Sequence, residues 1–294
     1  MRISLVGATG FIGRALISRA PNDLEVVSLP RAATGDLPGV DLEDVDPGSG
    51  HRFSVDDVVL ILAGISSPDW CESNYELARK VNVVGTRKLI SRILGSGARV
   101  IFFSTDAVYG ERFESFAEEA KPAPHGAYAQ MKREIEQAFE GMANFKSIRL
   151  SYVFSAEDSF TKFVRREVAA QRSIKVFEPF IRSPLHRVDV ADAAIQLALK
   201  WSRFPNQFIN FGGPETISRE DFVRNLRRSC FPGLEYETVT PGDEFFRARP
   251  TVISMKSPLI PELLGRPPLR MIDAMNTKSF ELCKEGELKK WRRT

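Results

Sequence analysis

An apolar run at the start of the chain leads straight into a glycine loop, and that junction restricts the fold more than any other segment. Residues 2–6, Arg-Ile-Ser-Leu-Val, read as a buried strand. They run into Gly7-Ala8-Thr9-Gly10-Phe11-Ile12-Gly13, and Phe11 to Arg19 then has helical periodicity. The glycines follow the pattern G-x-x-G-x-x-G. Gly7 allows a tight exit from the strand, Gly10 allows a pyrophosphate to approach the backbone, and Gly13 lets the helix pack closely on the sheet. Free N–H groups and the positive dipole end of that helix favour a phosphate. Glycines alone would carry little; a strand before them and a helix after them predict a dinucleotide site. The expected contacts are Gly7, Thr9, Gly10, Phe11, Ile12 and Gly13.

The rest of the N-terminal half continues the alternation. Leu24 to Leu29 is a second strand pattern, Val58 to Ala63 a third apolar run, and Trp70 to Leu94 a long helical pattern. Val100 to Ser104 is strand-like, Tyr128 to Phe139 helical, and Ser147 to Val153 strand-like again. Strands alternating with helices predict an α/β fold, a Rossmann-type doubly wound parallel sheet covered on both faces. Beyond about residue 155, Pro, Arg and Phe become common and loops lengthen around 177–187 and 241–270. This pattern predicts a dinucleotide-binding domain over 1–153 and a smaller, mainly substrate-binding α/β domain over 154–294. Residues 181–213 are expected to return elements to the first domain, because 207–213 look like one more strand of the main sheet.

Composition removes other classes of function. A chain of 294 residues that is 43% apolar can bury a sizeable core. Its 41 basic and 38 acidic residues leave a net charge of +3, too small to argue for nucleic acid or a membrane surface. Cys71, Cys230 and Cys283 are too few and too far apart for a disulfide framework or a metal site. They read as reduced thiols of a cytoplasmic protein. No stretch approaches the roughly 20 apolar residues of a membrane helix, and the opening strand does not read as a signal peptide. The basic end, Glu281 to Thr294, reads as a solvated helical turn rather than a nucleic-acid patch.

The end of the second strand should separate NAD from NADP. An acid there binds the ribose 2′-hydroxyl, whereas Arg accommodates a 2′-phosphate. The residues are Val27-Ser28-Leu29-Pro30-Arg31, with no acid at the expected place. Ser28 and Arg31 therefore predict NADP(H) over NAD(H), with Arg14 as a further cation; the alternative is that Arg31 is only a solvated charge. The next contact, near adenine, falls on Asp36-Leu37 or Asp41-Leu42.

Val100 to Ser104 ends in Ser104-Thr105-Asp106-Ala107-Val108-Tyr109-Gly110, polar groups where parallel sheets bind ligands. Tyr128-Ala-Gln-Met-Lys132 follows, and a spacing of four puts Tyr and Lys on one helix face. A free Tyr has a pKa of about 10. A neighbouring ammonium is expected to lower it and make Tyr128 a general acid for a ketone under reduction. Thr105 or Ser104 would polarise the carbonyl. Y-x-x-x-K alone occurs by chance; phosphate loop, polar strand end and Y-x-x-x-K in this order are far more specific.

Together these motifs resemble the extended short-chain dehydrogenases/reductases (the NAD-dependent epimerase/dehydratase superfamily), and within them the dTDP-4-dehydrorhamnose reductase group. Ser104-Thr105-Asp106 with Val108 and Gly110 is similar to that group's S-T-D-x-V-x-x-G signature, one residue shorter before the glycine. Asn82-Val-Val-Gly85-Thr86 matches N-V-x-G-T. Ala63-Gly64-Ile65 stands where the family has its loop beside the cofactor. His186 to Ala193 resembles V-x-D-x-A-x-A, and Arg249-Pro250 through Ser254-Met255 resembles the late R-P-x-x-S-x-L segment. The resemblance implies a triad of Thr105, Tyr128 and Lys132. Tyr128 would donate the proton, Lys132 would hold the nicotinamide ribose, and Ser104 would share the role of Thr105. Asn82 would support a helix and a water in the proton path.

It also implies a sugar-nucleotide substrate, with Asp106 beside the sugar and Arg187 and Arg249 as cations for its diphosphate; Arg182 and Arg247 are further candidates. Phe154, Phe160, Phe177 and Phe180 would stack on a ring or pack in the core, and Trp70 would line the pocket or pack. Ala107 replaces the second acid that family dehydratases carry, which argues against dehydration. The Ala63-Gly64 loop departs from the reductases' usual Asn-Ala-Ala. The expected function is an NADP(H)-dependent keto-reductase. The alternatives are an epimerase with firmly held NAD and a non-catalytic NADP-binding regulatory protein. The long helices of such folds suggest a homodimer.

Overall fold

The computed structural model describes residues 1–35, 37–111, 114–277 and 280. Asp36, Cys283 and the basic end from Glu281 lie outside the described residues. The central sheet has six parallel strands: β1 (Arg2–Val6), β2 (Glu25–Leu29), β3 (Val58–Ile61), β4 (Arg99–Phe103), β5 (Phe145–Leu150) and the strand Phe208–Phe211. In space the order runs from Phe208–Phe211 through β5, β4, β3 and β1 to β2. Val6 pairs with Leu29 on one side and Ile61 on the other. The chain thus winds outward from β1 to β2 and returns to β3, so the carboxyl ends of β1 and β3 flank the switch point where ligands bind in such sheets.

The strands are apolar without alternation because both faces are covered. On one face, Ile3, Leu5 and Leu60 pack against Leu16 of helix α1 (Phe11–Arg19) and against Ala194 and Leu197 of the helix Arg187–Leu199. On the other, Val59, Ile61, Val100 and Phe102 meet Leu89, Ile90, Ile93 and Ile135. A separate cluster built on Phe154, Val176, Phe222 and Leu226 forms the core of the C-terminal part. The expected strand at 207–213 is Phe208–Phe211, paired in parallel with β5.

The long helical pattern from Trp70 is not one helix. It divides into Pro68–Ser73, Tyr75–Arg79, a π-helical stretch Lys80–Gly85 and Thr86–Gly95. Asn74 breaks it at φ −129°, ψ 49°. Wide π turns concentrate at functional sites, and this one turns Asn82 inward. Gly85 closes it, because a Cβ there would stand 1.8 Å from the Leu42 carbonyl oxygen. The strand expected over 147–153 ends at Leu150, with Val153–Phe154 pairing separately with Leu185–His186. The expected loop at 241–270 contains two short helices, Asp243–Arg247 and Leu259–Leu264.

One buried polar network fixes the helix Ala127–Ala138. Glu136 accepts from Arg149 Nη2 at 2.9 Å and Nε at 3.2 Å and from Ser147 Oγ at 3.1 Å. Arg149 also donates to Tyr109 Oη, which donates to Asn210 Oδ1. A buried ion pair is tolerable only with its remaining donors and acceptors filled, and here the filling groups come from β5, the Tyr109 turn and the strand Phe208–Phe211.

Candidate active site

The phosphate loop has the geometry its glycines require. Gly7 lies at φ +97°, and a Cβ on it would sit 2.8 Å from the Ala63 backbone nitrogen. A Cβ on Gly13 would meet the Gly7 carbonyl oxygen at 2.4 Å, so only glycine allows α1 to start against the loop. Gly10 caps α1 without a side-chain acceptor, which leaves the first N–H groups directed at the switch point.

Beside the end of β2 lies a cavity of about 380 Å³, lined by Ser28, Pro30, Arg31, Asp41, Leu42, Glu43 and Ala63–Ile65. Arg31 donates to Asp41 Oδ2 at 2.8 Å and to Glu43 Oε1 at 2.6 Å, and its side chain is 70% exposed. Of the two candidates for the adenine contact, Asp41-Leu42 lines this cavity. Leu37 does not: Thr34 and Leu37 exchange backbone hydrogen bonds in a tight turn, and Val40 N–H returns to the Pro30 carbonyl. That turn carries Leu37 away into solvent. Arg14 donates to the Thr9 carbonyl at 2.7 Å and does not line this cavity.

A larger cavity of about 720 Å³ runs from the phosphate loop past Ala63–Ile65 and Ser104–Asp106 to Tyr128, Lys132, Arg182, Arg219 and Arg249. The β3 loop on its wall is held by Asn82, 2% exposed. Its Oδ1 accepts from Ile65 N–H at 2.8 Å and its Nδ2 donates to the Ile65 carbonyl at 2.9 Å. Gly64 is needed here, since a Cβ on it would approach Asn82 Oδ1 to 2.9 Å.

Lys132 donates to the Phe103 carbonyl at 2.8 Å, lies 4.5 Å above the Phe102 ring centroid and 5.7 Å from that of Tyr128. Burial lowers its pKa to about 8. The expectation that the ammonium would lower the Tyr128 pKa is not met. Burial, followed by the charges of Cys71 and Asp106, raises it. Desolvation penalises phenolate and ammonium alike, and in this cleft it is the largest influence on both groups.

The two adjacent hydroxyls differ. Thr105 Oγ1 accepts from Ala107 N–H at 3.2 Å and donates to Asp106 Oδ1 at 3.3 Å. Ser104 Oγ is buried and has no hydrogen-bond partner among the described residues. Asp106 Oδ2 accepts from Ser151 Oγ at 2.8 Å and lies 3.9 Å from Arg182 Nε, while burial raises its pKa.

The cations are only partly those expected. Arg249 lines the cavity, ion-paired to Asp69. Arg187 does not line it; its guanidinium stacks 4.8 Å from the Phe11 ring centroid, drawn there because its helix packs against α1. Arg247 is exposed outside it. Of the aromatics, Phe180 lines the cavity, Phe154 is buried in the C-terminal core, Phe160 packs on that core, and Phe177 packs on Phe245. Trp70 packs against the core. Arg219, Ser151 and Tyr152 were missed. They follow β5 or open a distant helix, and no motif marks them.

A doubly wound sheet, a glycine loop at its switch point and a Tyr–Lys helix on the same cavity define the extended short-chain dehydrogenase/reductase architecture. The chain belongs to the RmlD substrate binding domain family, which it matches over residues 1–259. It is 27% identical over 283 residues to a Mycobacterium tuberculosis protein named dTDP-4-dehydrorhamnose reductase, covering 92% of this chain and 89% of that one. A Clostridium acetobutylicum dTDP-4-dehydrorhamnose reductase structure superposes with a TM-score of 0.78 at 23% identity, covering 96% and 99% of the two chains. A Bacillus anthracis enzyme of the same name, solved in complex with NADP, gives a TM-score of 0.76 at 19% identity, covering 95% and 98%.

Proposed function

We propose that this protein is a cytoplasmic NADP(H)-dependent reductase acting on a keto group of a nucleotide-activated deoxysugar, of the dTDP-4-dehydrorhamnose type. The observation that carries this reading is the single cavity holding both the phosphate loop and the Tyr128–Lys132 pair. The names of the relatives support it.

The residues present fit a dinucleotide. A cradle closed to any Cβ at Gly7 and Gly13, an uncapped helix start and the unpartnered Ser104 hydroxyl all face where one would lie. Gly7, Thr9, Gly10, Phe11, Ile12 and Gly13 would hold the pyrophosphate; Ser28, Arg31 and Leu42 would hold the adenosine part, with Arg31 turning from Asp41 to a 2′-phosphate. Ala63, Gly64 and Ile65, kept in place by Asn82, would wall the nicotinamide side. When bound, the cofactor supplies a hydride. Tyr128 donates the proton to the keto oxygen, and its raised pKa keeps it protonated until then. Lys132, anchored on Phe103, supplies positive charge beneath the phenol. Ser104 and Thr105 position the keto oxygen, and Asp106 and Arg249 contact the substrate. Residue 107 is Ala, so no second carboxylate follows Asp106 to drive dehydration.

In this reading residues 1–153, with elements from 181–213, form the cofactor domain and 154–294 mainly the substrate domain. Two copies would pair through the helices Thr86–Gly95 and Ala127–Ala138, a state that light scattering reads directly. The main test is NADPH oxidation across a panel of keto-sugar nucleotides. The expected result is turnover that Tyr128→Phe lowers by about 10²–10⁴-fold. Protein carrying firmly held NAD would instead indicate an epimerase, and NADPH binding without turnover on any substrate a regulatory protein.

A further inference from the structure

Three guanidinium groups line the cleft, and two are engaged. Arg182 donates to the carbonyls of Ile181, Thr251 and Pro250 and faces Asp106. Arg249 is paired with Asp69. Arg219 makes no ion pair among the described residues. It is held in an aromatic clamp, with its guanidinium carbon 4.6 Å from the ring centroid of Tyr152, 4.4 Å from Phe160 and 5.1 Å from Phe180.

The clamp is rigid. Tyr152 Oη donates at 2.8 Å to Asp158, whose carboxylate also caps the helix Ser159–Ala169 through the N–H groups of Phe160 and Thr161. Arg219 itself begins the helix Arg219–Ser229 behind a capping box of Ser218 and Asp221. The Arg219 guanidinium hydrogen-bonds the Tyr152 hydroxyl of the clamp, and its remaining in-plane donors match a two-oxygen anion. Because it is already ordered, little side-chain freedom is lost on binding. Arg182 and Arg249 stand at the same end of the cleft but face Asp106 and Asp69, so Arg219 is the guanidinium there without a facing carboxylate among the described residues, and it attracts an anion.

Building on the reductase reading, we infer that Arg219 is a specificity-determining residue that binds an oxyanion of the substrate, a phosphoryl or a carboxylate group, at the Tyr152–Phe180 end of the cleft.

The test is calorimetry on NADPH-loaded protein with three probes: dTDP, UDP-glucose and UDP-glucuronic acid. Arg219→Met keeps the stem packing and removes the charge; Arg219→Lys keeps the charge and loses the fork. Thermal melts and NADPH affinity control for folding. Weakening of all three probes by about tenfold or more in Arg219→Met, with partial recovery in Arg219→Lys, assigns the site to a phosphoryl group. Weakening confined to UDP-glucuronic acid assigns it to a carboxylate. Unchanged affinity for all three in a folded Arg219→Met overturns the inference. If Arg219→Met does not fold, Arg219→Lys carries the test, and unchanged affinity there overturns the bidentate site. Where keto-sugar nucleotides are reduced with a KM that Arg219→Met leaves unchanged, the inference falls and the reductase reading stands. Arg219-dependent binding without reduction of any substrate leaves the site standing and removes the reductase reading.

Discussion

Asn82→Ala isolates how the wall of the cleft is held. The substitution removes both bonds to Ile65, at 2.8 and 2.9 Å; it leaves the partly buried Ile65 N–H unpaired and its carbonyl with only the weak Cys71 thiol donor at 3.5 Å. Each bond contributes about 0.5–1.5 kcal/mol net, so the pair is worth about 2 kcal/mol. In a chain of this size 1 kcal/mol moves Tm by roughly 2–4 °C, which predicts a fall of about 4–8 °C in a melt followed by circular dichroism. NADPH affinity should fall with it, because the Ala63–Ile65 loop lines both cavities. Asn82→Asp separates the bonds from the volume. It preserves shape and the acceptor for Ile65 N–H, but sets an oxygen against the Ile65 carbonyl. It should be at least as damaging as Ala. If Asn82→Asp melts within about 1 °C of wild type and NADPH binds both variants normally, the clamp does not hold this loop and the reasoning fails.

Three further outcomes follow from the same geometry. Lys132 titrates at about 8 in the folded protein and at about 10.4 unfolded; between these values the unfolded chain binds the extra proton, so stability from this position rises with pH. Lys132→Met should flatten that rise in melts taken from about pH 8 to 10, and wild-type reduction should slow above about pH 8 as the ammonium is lost. Arg31→Ala should reduce the preference for NADPH over NADH by about tenfold in paired titrations, and an unchanged ratio would place specificity elsewhere. Glu136→Ala strands the buried Arg149 guanidinium, which is 2% exposed, and should cost about 3–5 kcal/mol in denaturant unfolding, with a smaller loss for Glu136→Gln.

The backbone of the site was legible where local rules decide conformation. The glycine loop, the polar end of β4 and the Tyr128 helix each need particular residue types at fixed spacings, so they show in a linear reading. The break in the long helix was not legible. Its apolar periodicity continues through Lys80–Gly85, where a π turn carries Asn82 to Ile65 in the loop after β3, a contact between segments far apart in the chain.

By itself, then, the sequence determined the alternating strands, the phosphate loop and the order of the Tyr–Lys motif, because propensity, sterics and spacing act over a few residues. Only the tertiary structure decided the charges. Burial reversed the expected shift of Tyr128. Packing against α1 took Arg187 out of the cleft, while Arg219, from a segment far along the chain, was brought in. Desolvation and long-range ion pairing depend on what surrounds a group, and those surroundings come from parts of the chain that no local pattern relates.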